Sequence, residues 1–201
     1  MGRSRHITEN NSYLDLQNKD IIDPILRKCR KGNKAAQKEL FKLLYPYGMS
    51  ICLRYTQNQS EAKEVLNDGY LKIFAKLGQL RPEGSFKAWA RRIFVNTAID
   101  HYRKYQRYQH TLEITQVHTE FVKPDAIDQL AAEDLLKMIN ELSPAYRLIF
   151  NLYAIEGYSH KEIAESLNIS VGTSKSNLFK ARMKLKKMIE EVAIKNHTYY
   201  G

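Results

Sequence analysis

From Asp23 onward apolar residues recur at three- and four-residue spacing, the period of amphipathic helices. In DPILRKCRKGNKAAQKELFKLLYPYGMSICLRYT (23–56), Ile25, Leu26, Leu40, Leu43, Leu44, Met49, Ile51 and Leu53 fall on such stripes. In SEAKEVLNDGYLKIFAKL (60–77), Val65, Leu66, Tyr70, Ile73, Phe74 and Leu77 do the same. Ser60, or Asn58 with Glu61 three residues on, can cap that second stretch. GQLRPEGS (78–85) interrupts the period with two glycines and a proline. Ser85 can then cap FKAWARRIFVNTAIDHYRKY (86–105), where Phe86, Trp89, Ile93 and Phe94 share one side and Arg91, Arg92, Arg103 and Lys104 lie elsewhere.

The period fades between about 106 and 130. TLEITQV (111–117) alternates like a strand but has no partner strand, so it is assigned to a linker. Helices resume at about Ala131. Ser143 caps with Pro144 in the first turn, and Gly157 closes that helix. Ser159 and Glu162 form a capping box, Asn168 suits a tight turn, and Ser170 can cap the last helix. The predicted fold class is all-α: two small helical bundles joined by a flexible acidic linker, the C-terminal one containing a helix-turn-helix. The boundaries are a polar arm at 1–20, a first bundle at 21–105, the linker at 106–130, a second bundle at 131–190 and a tail at 191–201.

Charge adds to this picture. The net charge is +10, which points to a polyanionic partner. It is unevenly placed. Arg81–His110 holds seven basic residues against Glu83 and Asp100, and Val171–Glu190 holds six against Glu190 alone. Thr111–Asn140 holds two basic residues and six acids. No run approaches the ~18 apolar residues of a membrane span, and the N-terminus lacks the apolar core of a signal peptide; a cytoplasmic protein is expected. Cys29 and Cys52 stand apart with no ligand-like spacing, so two buried free thiols are expected, with no metal and no cofactor.

In YSHKEIAESLNISVGTSKSNLFKARMKL (158–185) the second helix is basic. In a helix-turn-helix that helix enters the major groove. Ala164, Leu167, Ile169 and Val171 are expected between the two helices. Lys175 and Lys180 can reach guanine acceptors or phosphates, Asn177 can read adenine, and Ser176 can meet either. Phe179 is either core or an apolar contact to a thymine methyl. In the first basic block, Tyr102, Tyr105 and Tyr108 alternate with Arg103, Lys104 and Arg107. Such a row can hold unstacked bases or form an ordinary bundle face. Trp89, Phe86 and Phe94 read as core or as a base platform. Asn96 and Asp100 can bond bases or each other.

Taken in order, the three stretches 60–77, 85–104 and 158–185 resemble an extracytoplasmic-function (ECF) sigma factor, the small two-domain class of the sigma-70 family of bacterial RNA polymerase. The resemblance covers about 23–189. It implies that the 60–77 helix, with Glu64, Asn67, Asp68 and Lys72, meets core RNA polymerase. The family carries a Gln-Glu pair where this chain has Asn67 and Asp68; the acid is kept and the amide is one methylene shorter. It implies that the Gly78–Ser85 loop captures a flipped base of the minus-ten element. Asn96 and Asp100, with Arg92, Arg103 and Lys104, would meet that element. Lys175, Ser176, Asn177, Phe179, Lys180 and Arg182 would meet the minus-thirty-five element. The acidic linker would occupy polymerase channels otherwise used by RNA. Promoter DNA, core polymerase and an anti-sigma protein are the partners implied, and no enzymatic site is.

Two promoter elements about two helical turns apart are separated by roughly 70 Å. The 25-residue linker has a flexible span of only ~25–30 Å, although stretched it reaches ~80 Å. The isolated chain is therefore expected to bind both elements weakly until polymerase extends it. A stand-alone helix-turn-helix regulator is the alternative, but it requires a ligand pocket or receiver-like α/β pattern, and neither is visible. A nucleic-acid enzyme would need a catalytic motif such as a paired-aspartate site, an HExxH helix or a phosphate loop, and none occurs.

Overall fold

A computed structural model describes residues 15–81, 83–111 and 130–199. They form eight α-helices: α1 (Lys19–Arg30), α2 (Lys34–Cys52), α3 (Gln59–Lys76), α4 (Phe86–Thr111), α5 (Leu130–Asn140), α6 (Pro144–Phe150), α7 (His160–Leu167) and α8 (Val171–Tyr199). No strand occurs among the described residues. None of these helices is long and apolar enough to cross a membrane. Two compact units emerge. One takes the described residues up to Leu53 and Ser60–Ala98; the other takes Arg54–Gln59 and the described residues from Ile99 on.

In the first unit, Asn18 and Asn33 cap α1 and α2 by accepting the Asp20 and Ala36 amides at 3.0 and 2.9 Å. Between these helices Gly32 takes φ 76°, and its amide donates to the Cys29 carbonyl. A residue with a Cβ is strained in that left-handed region, so glycine makes the break. Pro46 lies inside α2 and lacks the amide that would bond the Lys42 carbonyl. The Tyr70 hydroxyl donates to the adjacent Phe41 carbonyl at 2.9 Å, and burial pushes its phenol well up.

The core of this unit closes around Phe94, which is fully buried. Its ring sits between Gly48 of α2 and Gly69 of α3, at distances that leave no room for a Cβ on either. Tyr70 meets the ring edge-on at 5.8 Å. The predicted apolar positions are buried here, except that Leu53, Phe74, Trp89 and Ile93 are only half-buried. Cys29 and Cys52 are buried free thiols, and burial pushes the Cys29 thiol up.

In the second unit Ile139 and Leu142 pack on Ala181 and Leu185 of α8, flanked by Tyr146, Phe150 and Met188. Ser143 stands at the start of α6 with Pro144 behind it, but its side chain makes no capping bond. After Phe150 the helix widens into a π-helical turn at Asn151–Ile155 and ends at Gly157, φ 76°. Nothing in the residue pattern signals this widening. Arg147 and Asn151 are buried there. Arg147 donates to the carbonyls of Thr56, Asn140 and Leu142, and Asn151 to that of Arg54. The period alone places 106–111 in a linker, but α4 continues through Thr111. The rest of that linker (112–129), the start of the arm (1–14), Pro82 and the end of the tail lie outside the described residues.

Candidate nucleic-acid interface

The strongest candidate surface is built by α7 and α8. The Ser159 hydroxyl accepts the Glu162 amide at 3.2 Å, while the Glu162 carboxylate accepts the Ser159 amide at 2.8 Å, completing the predicted capping box. The Ser159 hydroxyl, and secondarily its amide, hold the Glu162 carboxyl below its ordinary value. Asn168 takes φ 54°, ψ 49°, the left-handed corner between the helices. The Ser170 hydroxyl accepts the Thr173 amide at 2.9 Å and starts α8. His160 Nδ1 and Ser174 Oγ lie 3.0 Å apart and tie the first turn of α7 to the first turn of α8.

The helix contact differs from expectation. Ile163 and Ala164 are buried in α7, and Ser174 and Leu178 in α8. Leu167 and Ile169 are only half-buried, and Val171 is exposed. The inner face of α8 therefore runs Ser174, Leu178, Ala181, Leu185. That register turns Phe179 outward, and it is 65% exposed. Its alternative as a core residue is excluded.

Lys175, Ser176, Phe179 and Lys180 lie together on the outer face of α8, with Met183 one turn further on. A methionine in a helix reads as core from sequence, whereas Met183 is 52% exposed. Asn177 is half-buried, off this face. Arg182 lies on another flank, its guanidinium 5.5 Å from the centre of the Tyr153 ring. Tyr153 in turn stacks on His160 at 4.6 Å.

A second surface lies on α3. Glu64, Asn67 and Asp68 are exposed and Lys72 is half-buried. Leu71 completes this stripe at 70% exposure. The sequence pattern did not single it out, since one leucine off the apolar period is common in any helix. On α4, Arg92 and Asn96 are exposed, as are Asp100 and Lys104 further along. Arg103 is committed within the second unit: it pairs with Asp100 at 3.8 Å and donates to the Ser166 carbonyl. Of the aromatic candidates, Phe86 and Phe94 are core and Trp89 is half-buried. Tyr102 and Tyr105 are half-buried, and burial pushes the Tyr102 phenol up; the Tyr108 side chain lies outside the described residues. In the Gly78–Ser85 turn, Leu80 is buried and Arg81, Glu83 and Gly84 are exposed. Ser85 caps α4 by accepting the Ala88 amide at 3.3 Å. Among the described residues no group of three His, Cys, Asp or Glu side chains is placed to hold a metal.

Comparison with known proteins agrees with this arrangement. Residues 40–108 match the sequence model of Sigma-70 region 2, and residues 132–185 that of Sigma-70, region 4. The chain is 25% identical to the RNA polymerase sigma-H factor of Pseudomonas aeruginosa over 83% of its own length and 92% of that protein. It is 25% identical to the ECF RNA polymerase sigma factor SigW of Bacillus subtilis, over 86% of itself and 98% of that protein. A solved structure of the sigma factor RpoE in complex with the anti-sigma factor NepR, from Bartonella quintana, aligns at a TM-score of 0.52 and 23% identity. That alignment covers 76% of this chain and 96% of that one, and shows a shared fold. With both regions present in order and relatives matched over nearly their full length, the chain belongs to the ECF group of the sigma-70 family, the transcription initiation factors of RNA polymerase.

Proposed function

We propose that this chain docks on core RNA polymerase and directs it to promoters with two separate readers. Residues 21–105 form the polymerase and minus-ten module. Glu64, Asn67, Asp68 and Lys72, together with Leu71, form the polymerase-facing stripe of α3. Arg92, Asn96, Asp100, Arg103 and Lys104 of α4, with the Gly78–Ser85 turn, meet and melt the minus-ten element; Arg103 must leave Ser166 to do so. Residues 131–190 form the minus-thirty-five module, read by Lys175, Ser176, Phe179 and Lys180, with Asn177 and Arg182 at the edges. The chain performs no chemistry of its own and acts where polymerase is, in the cytoplasm. Because the RpoE relative was solved with the anti-sigma factor NepR, an anti-sigma protein is proposed to restrain this chain too.

The observation that carries this reading is the outer face of α8. Two lysines, a serine and a phenylalanine converge there while the inner face of the same helix is fully packed. Such a mixture suits phosphate, base edges and thymine methyl groups. The test is co-purification with core polymerase, followed by run-off transcription. Retention of the chain and initiation at new start sites are expected. A chain that neither binds polymerase nor redirects it overturns the reading. Gel shifts supply a second check: tight, specific binding of a two-element promoter by the free chain would contradict its dependence on polymerase.

A further inference from the structure

The first unit holds a groove of about 350 Å³ between α1 and the turn that leads into α4. Its charged rim is Lys19, Asp23, Arg27 and Arg30 from α1, with Arg81 and Glu83 from the turn. The four α1 residues recur at spacings of four, four and three, so they lie on one side of that helix. Leu26, Leu80 and Phe86 also line the groove, and all three are buried.

These residues do different things. Arg30 holds the turn in place: its Nε donates to the Leu77 carbonyl at 3.2 Å and its Nη2 to the Leu80 carbonyl at 3.3 Å. Lys19, Arg27 and Arg81 are exposed on the rim. Cations around an apolar floor suit a sugar–phosphate unit, with phosphate oxygens on the rim and the sugar ring below. A base, by contrast, is recognised by stacking and by enclosed hydrogen bonds. Phe86 is too deeply buried to offer its ring face, and the groove is open to solvent. Moreover α1 precedes residue 40, where the region 2 match begins, so that match assigns it no role.

We propose that the α1 groove binds the phosphodiester backbone of the melted minus-ten strand, with Lys19 and Arg27 as its phosphate contacts and Arg30 as the residue that positions the adjoining turn. This rests on the reading that the Gly78–Ser85 turn engages that strand.

The experiment uses holoenzyme assembled from the full chain and core polymerase. The probe is a non-template-strand oligonucleotide spanning the minus-ten element of a promoter mapped from transcripts this holoenzyme starts. The K19A/R27A variant is expected to bind it at least tenfold more weakly. Its salt dependence should flatten by about 1.4 in log–log slope, two contacts at ~0.7 each. Polymerase binding and upstream duplex binding should be unchanged. Asp23→Asn, which removes a carboxylate from the same rim, is expected to tighten strand binding several-fold. Unchanged affinity and slope in K19A/R27A, or weaker binding by Asp23→Asn, overturns the proposal while leaving the initiation reading intact. Displacement of the strand by millimolar inorganic phosphate would mark a small-anion site and overturn the strand assignment. Failure of the wild-type chain to bind polymerase would overturn the initiation reading, and the groove's role with it.

Discussion

Gly69→Ala tests the packing that sets the shape of the first unit. A Cβ at position 69 would lie 2.4 Å from Cδ1 and 2.6 Å from Cε1 of Phe94. Comfortable carbon contacts are ~3.5–4.0 Å, so the ring must retreat by about 1 Å. It has nowhere to go, because the backbone of Gly48 presses from α2, where even a Cβ would sit 2.8 Å from the ring. Overpacking of this kind costs ~1–3 kcal/mol. Two clashes on a ring pinned from both sides argue for the upper part of that range. Against this, alanine in mid-helix gains about 1 kcal/mol over glycine. The net expectation is a loss of ~1–2 kcal/mol, or a melting temperature lower by about 4–15 °C. Trp89 is the only tryptophan and lies in this unit, so its fluorescence during thermal or urea unfolding reports on the right place. Phe94→Leu should destabilise the wild type yet cost less, or restore stability, when combined with Gly69→Ala. If Gly69→Ala melts at or above the wild-type temperature, helix propensity outweighs packing and the account of this core is wrong.

Other expectations follow from the two surfaces and the caps. Replacing both Lys175 and Lys180 by alanine should reduce the salt slope of upstream-duplex binding by up to about 1.8 without affecting polymerase retention; loss of retention would place the helix in the bundle's service instead. Phe179→Ala should change stability by no more than ~0.5 kcal/mol yet weaken upstream binding. Deoxyuridine in place of thymidine should then cost the variant less than it costs the wild type, whereas equal costs would rule out a methyl contact. Leu71→Ala, on the exposed face of α3, should weaken binding to core polymerase with an unchanged thermal melt; an unchanged pull-down would remove Leu71 from that surface. Because Ser159 holds the Glu162 carboxyl below its ordinary value of 4.5, the cap's contribution is present above that pH and lost as pH falls through the lower folded value. Far-ultraviolet circular dichroism on acidification should show a smaller acid-side loss in Ser159→Ala than in the wild type.

What the sequence disclosed was local. The Ser159–Glu162 box, the Ser170 cap and the Asn168 corner are contacts among residues within four positions of each other, and residue type plus spacing specifies them. The inner register of α8 was harder. Leu178 and Phe179 are adjacent apolar residues about 100° apart around the helix, and only the partner surface decides which turns inward. Ile163 and Leu178 supply the contact that Leu167 and Val171 were expected to make. Arg147 and Asn151 were invisible for another reason. They are polar residues buried in a helix whose bonds go to carbonyls of Arg54 and Thr56, more than ninety positions away. Gly69 gives no signal of its own, since its role exists only once Phe94 is in place.

The same geometry explains why the outer faces of α3 and α8 carry large apolar side chains in water. Leu71, Phe179 and Met183 are 70%, 65% and 52% exposed, although each adjoins a helix face that is densely packed. Burying any one of them would yield about 1.5–3 kcal/mol, so the fold leaves that stabilisation unused in the free chain. Leu71 and Phe179 are also set beside polar residues, Asn67 and Asp68 next to Leu71, Lys175 and Lys180 next to Phe179. A core residue would have apolar neighbours; a solubilising surface would lack the apolar residue altogether. Apolar anchors ringed by polar groups are the composition of contact sites, where partner surface excludes water from the anchor and the ring sets orientation. On the reading proposed here, α3 and α8 hold back apolar burial until polymerase and promoter supply the missing surface, while the Gly48–Phe94–Gly69 contact keeps the first of those faces rigid enough to present it.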